Sequence, residues 1–183
     1  KQEAAFYKRR GGNVSWVGHP MIDLTKKLPS KKASRSILKL RANENILLLM
    51  PASRPQELKY ILPTFLKTAK KLQLRYPSLV VYIPSCRRVF DEKFRKGLEK
   101  YEIKGKVISQ QDDSELIPYI YALAKLALCK SGTVNMELAL YGIPQIIGYR
   151  VSRVTAFIAK RILNFKVRFI SPVNLLVNKL IIP

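Results

Sequence analysis

Histidine occurs once in this chain of 183 residues, at His19, and cysteine twice, at Cys86 and Cys129. With one histidine, no Cys/His or Ser/His/Asp arrangement drawing on a second imidazole is available. The two cysteines lack the paired Cys/His spacing of a zinc site or a disulfide scaffold. Both adjoin apolar runs of strand length, and both are expected to be reduced core residues. Acidic residues are also scarce, 12 Asp and Glu against 34 Lys and Arg, a formal charge of +22. Such a surface needs an anionic partner: nucleic acid, acidic lipid headgroups or a phosphorylated substrate. No apolar run reaches the length of a membrane span, because Lys125 and Lys130 interrupt the region around Ala122 to Leu128, and Arg150 and Arg153 follow the next run. There is no signal-peptide pattern. Neither a Gly-x-Gly-x-x-Gly fingerprint nor a Walker phosphate loop occurs, which argues against a dehydrogenase or a P-loop NTPase.

What remains is enough for a core. The composition is 48% apolar, and the length suits one domain, or one domain with an appendage. Basic residues are spread over the chain (Lys8-Arg9-Arg10, Lys70-Lys71, Arg87-Arg88, Lys160-Arg161), as on a folded basic surface. Lys1 to Arg10 reads as the end of a basic helix, Asn13 to Val17 as a short strand, and Gly18-His19-Pro20 as a junction. A domain boundary is placed there, with a linker over 1–30 and the main domain over 31–183. The chain opens at Lys1 without Met and stops after an apolar run, so both ends are expected to be cuts through something longer.

From Ile46 onward, strands and helices alternate. Ile46 to Met50, Leu79 to Ile83, Lys106 to Ser109, Leu126 to Cys129 and Gln145 to Gly148 have strand character. Pro55 to Tyr76, Asp91 to Tyr101, Ser114 to Ala124, Thr133 to Tyr141 and the basic segment Val154 to Leu163 have helical character. Largely apolar strands alternating with helices predict α/β architecture, a Rossmann-like parallel sheet covered on both faces.

Ligands of such sheets sit at the carboxyl ends of the strands. Ser131 and Gly132 let the backbone turn sharply, and a helix starting near Thr133 presents free N–H groups and a positive dipole end to a phosphate. Glu137, one turn on, can accept hydrogen bonds from a neighbouring diol. Diphosphate plus diol describes a nucleotide sugar. The competing reading is that Ser131 and Thr133 only cap a helix and Glu137 is solvated. After the first strand, Arg54 can pair with phosphate, or Ser53 and Arg54 simply start a helix with Pro55 in its first turn. In Ser171 to Leu176, Pro172 stiffens a loop and Asn174 offers a donor and an acceptor, which would also suit an ordinary turn. His19 reads as a group satisfying local backbone, Asp23 as a local cap, and Asp112-Asp113 as a helix cap rather than metal ligands. No metal is assigned.

Trp16 to Asp23, Met50 to Glu57, Ser131 to Glu137, Gly148 to Val151 and Ser171 to Leu176, in that order, resemble the C-terminal half of the lipid-A-disaccharide synthase family. That resemblance implies an inverting glycosyltransferase of GT-B type, in which two Rossmann-like domains face a cleft and the C-terminal one binds the donor. It implies transfer of a diacylglucosamine from UDP-2,3-diacylglucosamine to 2,3-diacylglucosamine 1-phosphate in lipid A biosynthesis. No cofactor or metal is implied. By resemblance, residues 31–183 form the UDP-sugar-binding domain, and Arg54, Ser131, Gly132, Thr133, Glu137 and Asn174 surround the donor. Ala52 stands where many members have Gly. The general base is expected in the N-terminal domain, so these residues alone are expected to be inactive. A cytoplasmic protein peripherally bound to acidic inner membrane is implied, with no specific nucleic acid. The alternatives are another GT-B UDP-N-acetylhexosamine transferase or epimerase, or a basic RNA- or acidic-lipid-binding module; against the last, aromatic residues are not grouped as a platform for bases.

Overall fold

The computed structural model describes residues 2–25, 27–150, 152, 161 and 169–183. Five strands, β1 (Asn45–Met50), β2 (Leu79–Ser85), β3 (Gly105–Ser109), β4 (Ala124–Lys130) and β5 (Gln145–Gly148), form one sheet in the order β3-β2-β1-β4-β5. Every pairing is parallel. The helices are α1 (Gln2–Lys8), α2 (Pro20–Leu24), α3 (Lys31–Leu38), α4 (Pro55–Tyr60), α5 (Leu62–Arg75), α6 (Arg88–Lys100), α7 (Ile117–Leu123), α8 (Thr133–Leu140) and α9 (Pro172–Val177). The α/β, Rossmann-like architecture is as the alternation of apolar runs predicts.

Each central strand is apolar on both faces because both are covered. Leu47, Leu49, Val81 and Ile83 point into a core with Leu58, Phe65, Leu66, Phe94 and Leu98 from α4, α5 and α6. Their chain neighbours Ile46, Leu48, Val80 and Tyr82 point the other way, to Leu38, Ile120, Tyr121 and Leu138 from α3, α7 and α8. Burial of each large side chain contributes about 1.5–3 kcal/mol. Continuous apolar runs are therefore what a doubly covered parallel sheet demands.

Several expectations need correction. Asn13 to Val17 forms no strand; it pairs with no strand among the described residues, and Val17 is 88% exposed. The single helix expected over Pro55 to Tyr76 is two, because Pro63, in the first turn of α5, cannot donate to the preceding turn. Pro118 likewise separates a 3-10 turn (Ser114–Leu116) from α7, and Ala124 belongs to β4. Cys86 is exposed rather than in the core, while Cys129 is buried. The basic helix expected over Val154 to Leu163 lies outside the described residues, Arg161 apart. His19 accepts the Met21 N–H through Nδ1 at 3.2 Å and caps α2; Asp23 sits inside that helix rather than capping it. Among the described residues, no helix is long and apolar enough to cross a membrane.

At the amino edge of the sheet, Glu44 is 5% exposed and accepts the Arg41 N–H at 2.8 Å, the Arg41 guanidinium at 3.0 Å and the Lys104 ammonium. Hydrogen bonding from Lys104, then from the Arg41 backbone, outweighs burial and holds the carboxyl at about 2 instead of 4.5. A carboxylate with a depressed folded-state pKa stabilises the fold above its unfolded pKa, and that contribution is lost as pH falls through the folded value. The melting temperature of the intact protein should therefore exceed that of Glu44→Gln at neutral pH, and the gap should close between pH 4.5 and 2. A gap independent of pH would show that the Glu44 charge contributes nothing.

Candidate functional site

The strand order reverses between β1 and β4. β1 feeds helices that run to the β2 side and β4 feeds one that runs to the β5 side, so a crevice opens beyond their carboxyl ends. The β1 exit is held by Glu57 in the first turn of α4. Its Oε2 accepts the Ser53 N–H at 2.7 Å and the Arg54 N–H at 3.0 Å. Its Oε1 meets Lys130 Nζ, from the last residue of β4, at 3.1 Å. Burial pushes the Glu57 carboxyl up, but the Ser53 N–H and the Lys130 ammonium outweigh it, and its pKa lies below the ordinary value. One carboxylate thus ties the two strand exits together.

The β4 exit is held by Asn135, which is fully buried. Its Oδ1 accepts the Gly132 N–H at 2.8 Å, and its Nδ2 lies 3.1 Å from both the Lys130 carbonyl and Gln145 Oε1. Gln145 Nε2 returns a bond to the Asn135 carbonyl at 2.9 Å. This network fixes the turn Ser131-Gly132 and the first residues of α8. Thr133 and Val134, as the first two helical residues, have N–H groups with no acceptor inside the helix. At its other end α8 stops at Gly142, with φ of 66°, where a glycine is favoured.

Two cavities flank these exits. The smaller, about 230 Å³, is lined by Ala52, Ser53, Cys86, Gln110, Thr133 and Glu137 among others. The larger, about 560 Å³, is lined by Arg54, Lys59, Tyr60, Ser131, Tyr149 and Arg150 among others. Glu137 is half-buried and accepts the Tyr121 hydroxyl at 3.2 Å through Oε1. Burial pushes its carboxyl above the ordinary range, and the Tyr121 hydrogen bond opposes that only in part. Tyr121 itself is driven upward by burial and by the Glu137 charge, so it stays a donor. Arg54 is exposed and makes no ion pair among the described residues.

A model of the lipid-A-disaccharide synthetase family matches residues 2–183. The chain belongs to this family. It is 49% identical over 181 residues to the lipid-A-disaccharide synthase of Prochlorococcus marinus, covering 99% of this chain and 46% of that protein. With the synthase of Synechocystis sp. the identity is 38% over 182 residues, covering 99% and 45%. The chain thus spans less than half the length of these relatives. Among solved structures, WaaG, a glycosyltransferase involved in lipopolysaccharide biosynthesis, superposes with a TM-score of 0.51 at 16% identity, over 66% of this chain and 33% of that one. The C-terminal domain of a group 1 glycosyl transferase from Francisella tularensis gives 0.50 at 13% identity, over 87% and 98%. Both support the fold alone, the C-terminal half of a GT-B arrangement.

In this member of the lipid-A-disaccharide synthase family, five of the six residues singled out from sequence line the cavities or the turn between them: Arg54, Ser131, Gly132, Thr133 and Glu137. Some of their polar groups are already engaged. The Ser131 hydroxyl donates to the Ile170 carbonyl at 2.6 Å, and the Gly132 N–H is spent on Asn135. Asn174 lines neither cavity. It is 3% exposed, its Oδ1 accepts the N–H groups of Ile181 and Ile182, and its Nδ2 donates to the Ile182 carbonyl. It pins the final segment, whose Pro183 carbonyl accepts the Ile147 N–H of β5 at 2.8 Å.

Sequence reasoning gave no role of their own to Lys130, Glu57, Tyr121 and Asn135. Glu57 had a legible signal, the third helical position after Arg54, where a carboxylate reaches back to the helix start. Replacing Asn135 by Ala orphans the Gly132 N–H and breaks the Gln145 pair. At about 1–3 kcal/mol for each buried group left unsatisfied, denaturant melts should show a loss on the order of 3 kcal/mol. A loss below about 0.5 kcal/mol, the range of ordinary surface changes, would mean the turn does not depend on this network.

Proposed function

We propose that the chain is the donor-binding half of a lipid-A-disaccharide synthase that transfers 2,3-diacylglucosamine from UDP to 2,3-diacylglucosamine 1-phosphate with inversion. The observation that carries this is the β4–α8 turn at the strand-order reversal, with Glu137 one helical turn behind it in a chain of this family. A donor would place its ribose diol on the Glu137 carboxylate in the smaller cavity. Its diphosphate would rest on the Thr133 and Val134 N–H groups, where the α8 dipole favours negative charge. Arg54 would add charge from the larger cavity, which would receive the sugar. Ser131 and Gly132 then act through backbone shape, and Asn174 acts by fixing the segment beyond β5. The general base would come from sequence outside this chain, so these residues alone would bind the donor without transferring it. The helix start, Arg54 and Lys130 would supply positive charge at the diphosphate.

The acyl chains of both substrates would hold the protein against acidic membrane on the cytoplasmic side, toward which a chain of formal charge +22 is drawn. A built crevice supports this reading over a general RNA- or lipid-binding module, which needs none.

UDP titrated into the intact protein should bind equally with and without EDTA, and Glu137→Ala should weaken it by about tenfold to a hundredfold, the worth of a charge-assisted hydrogen bond. The same variant should lose the preference for UDP over 2′,3′-dideoxy-UDP. A wild-type protein that binds the two nucleotides equally well would contradict the role of Glu137.

A further inference from the structure

Among the described residues, Lys130 alone lines both cavities. Its ammonium, 3.1 Å from Glu57 Oε1, forms the partition between them, and a Cβ placed on Gly132 would stand 3.2 Å from it. The side chain is 16% exposed. The larger cavity has other cations in its wall, Arg54, Lys59 and Arg150. In the smaller one Lys130 is the single cation among the described residues. A ligand with its diol at Glu137 and its far end in the larger cavity must cross between them beside Lys130.

Glu57 is arranged so that it can release this partner. Its Oε2 keeps the Ser53 and Arg54 N–H groups whether or not Oε1 holds Lys130. The lysine, a point charge on a flexible stem, can turn its donors to a new acceptor without disturbing the backbone. A diphosphate carries more charge than one carboxylate and would lie on a helix start that favours anions.

We propose that Lys130 is a phosphate-binding residue of this site, held at the partition by Glu57 and exchanged onto the diphosphate of a nucleotide-sugar donor as it crosses from one cavity to the other. This rests on the donor-site reading above. Glu57 is then a positioning residue with two opposed effects: it shapes the Arg54 loop, and it competes with the ligand for the ammonium.

The competition gives the test its sign. In the intact protein, affinities for UDP and for uridine are measured by calorimetry, with ligand-observed NMR where binding is weak. Lys130→Met should weaken UDP by about tenfold or more and leave uridine unchanged, and Lys130→Arg should restore most of the UDP affinity. Glu57→Gln keeps an amide oxygen for the Ser53 and Arg54 N–H groups while freeing the lysine, so it should tighten UDP several-fold. If Lys130→Met lowers the melting temperature but leaves UDP affinity intact, or weakens UDP and uridine alike, the pair is a structural strut and the inference fails while the donor site stands. Weaker UDP binding by Glu57→Gln would overturn the competition. A wild-type protein that binds neither UDP nor uridine would overturn the donor-site reading, and this inference with it.

Discussion

A parallel sheet whose strand order turns back on itself must leave a gap where the order reverses, because the connections on either side depart in opposite directions. In this chain the reversal falls between β1 and β4, and everything of functional interest at the carboxyl edge depends on it. The two strands that border the gap end in Met50 and Lys130. One leads into Pro51-Ala52-Ser53 and the other into Ser131-Gly132, small residues that keep the gap open and the backbone near a ligand. A different strand order with the same residues would scatter them over the sheet.

Holding the gap in shape is a polar task, and four carboxylate or amide side chains perform it. Glu57 joins the two strand exits, Asn135 and Gln145 lock the turn before α8, and Asn174 ties down the segment that ends against β5. Each is wholly or largely removed from water, where a hydrogen bond is stronger and a missing partner costs more. Glu44 does comparable work at the opposite edge of the sheet. The apolar side chains between the edges supply the cohesion, from two cores on opposite faces of the sheet. Gly148, at the end of β5, lets α5 pack close: a Cβ there would fall 2.4 Å from a Phe65 ring carbon.

The strands were legible because burial on both faces leaves them apolar at every position, from Ile46 to Leu49 and from Val80 to Ile83. The turn after β4 was legible for a related reason, since small residues beside a helix start have few other uses. What sequence could not settle was the destination of polar side chains. Asn174 and Gly132 look alike in the chain, each a turn residue with hydrogen-bonding capacity, yet Asn174 spends its amide on the last residues of the chain and Gly132 its N–H on Asn135. Helix interruption at Pro63 and Pro118 was readable in principle, because a proline in the first turn removes a donor; the apolar stripe across both sites masked it. Asn13 to Val17 has strand composition but pairs with no strand among the described residues, which composition cannot reveal. The pairing of Lys130 with Glu57 joins residues far apart in sequence and needed the sheet order to be seen.

The proposed donor site makes one geometric statement: a nucleoside diphosphate would lie across the β1 and β4 exits, with its phosphates at the start of α8. A crystal structure of the intact protein with UDP tests it most directly. The account predicts phosphate oxygens at hydrogen-bond distance, about 3 Å, from the Thr133 or Val134 nitrogens, and both ribose hydroxyls facing Glu137. UDP bound anywhere else on the chain, or with its ribose at the α8 start and its phosphates in solvent, would contradict it.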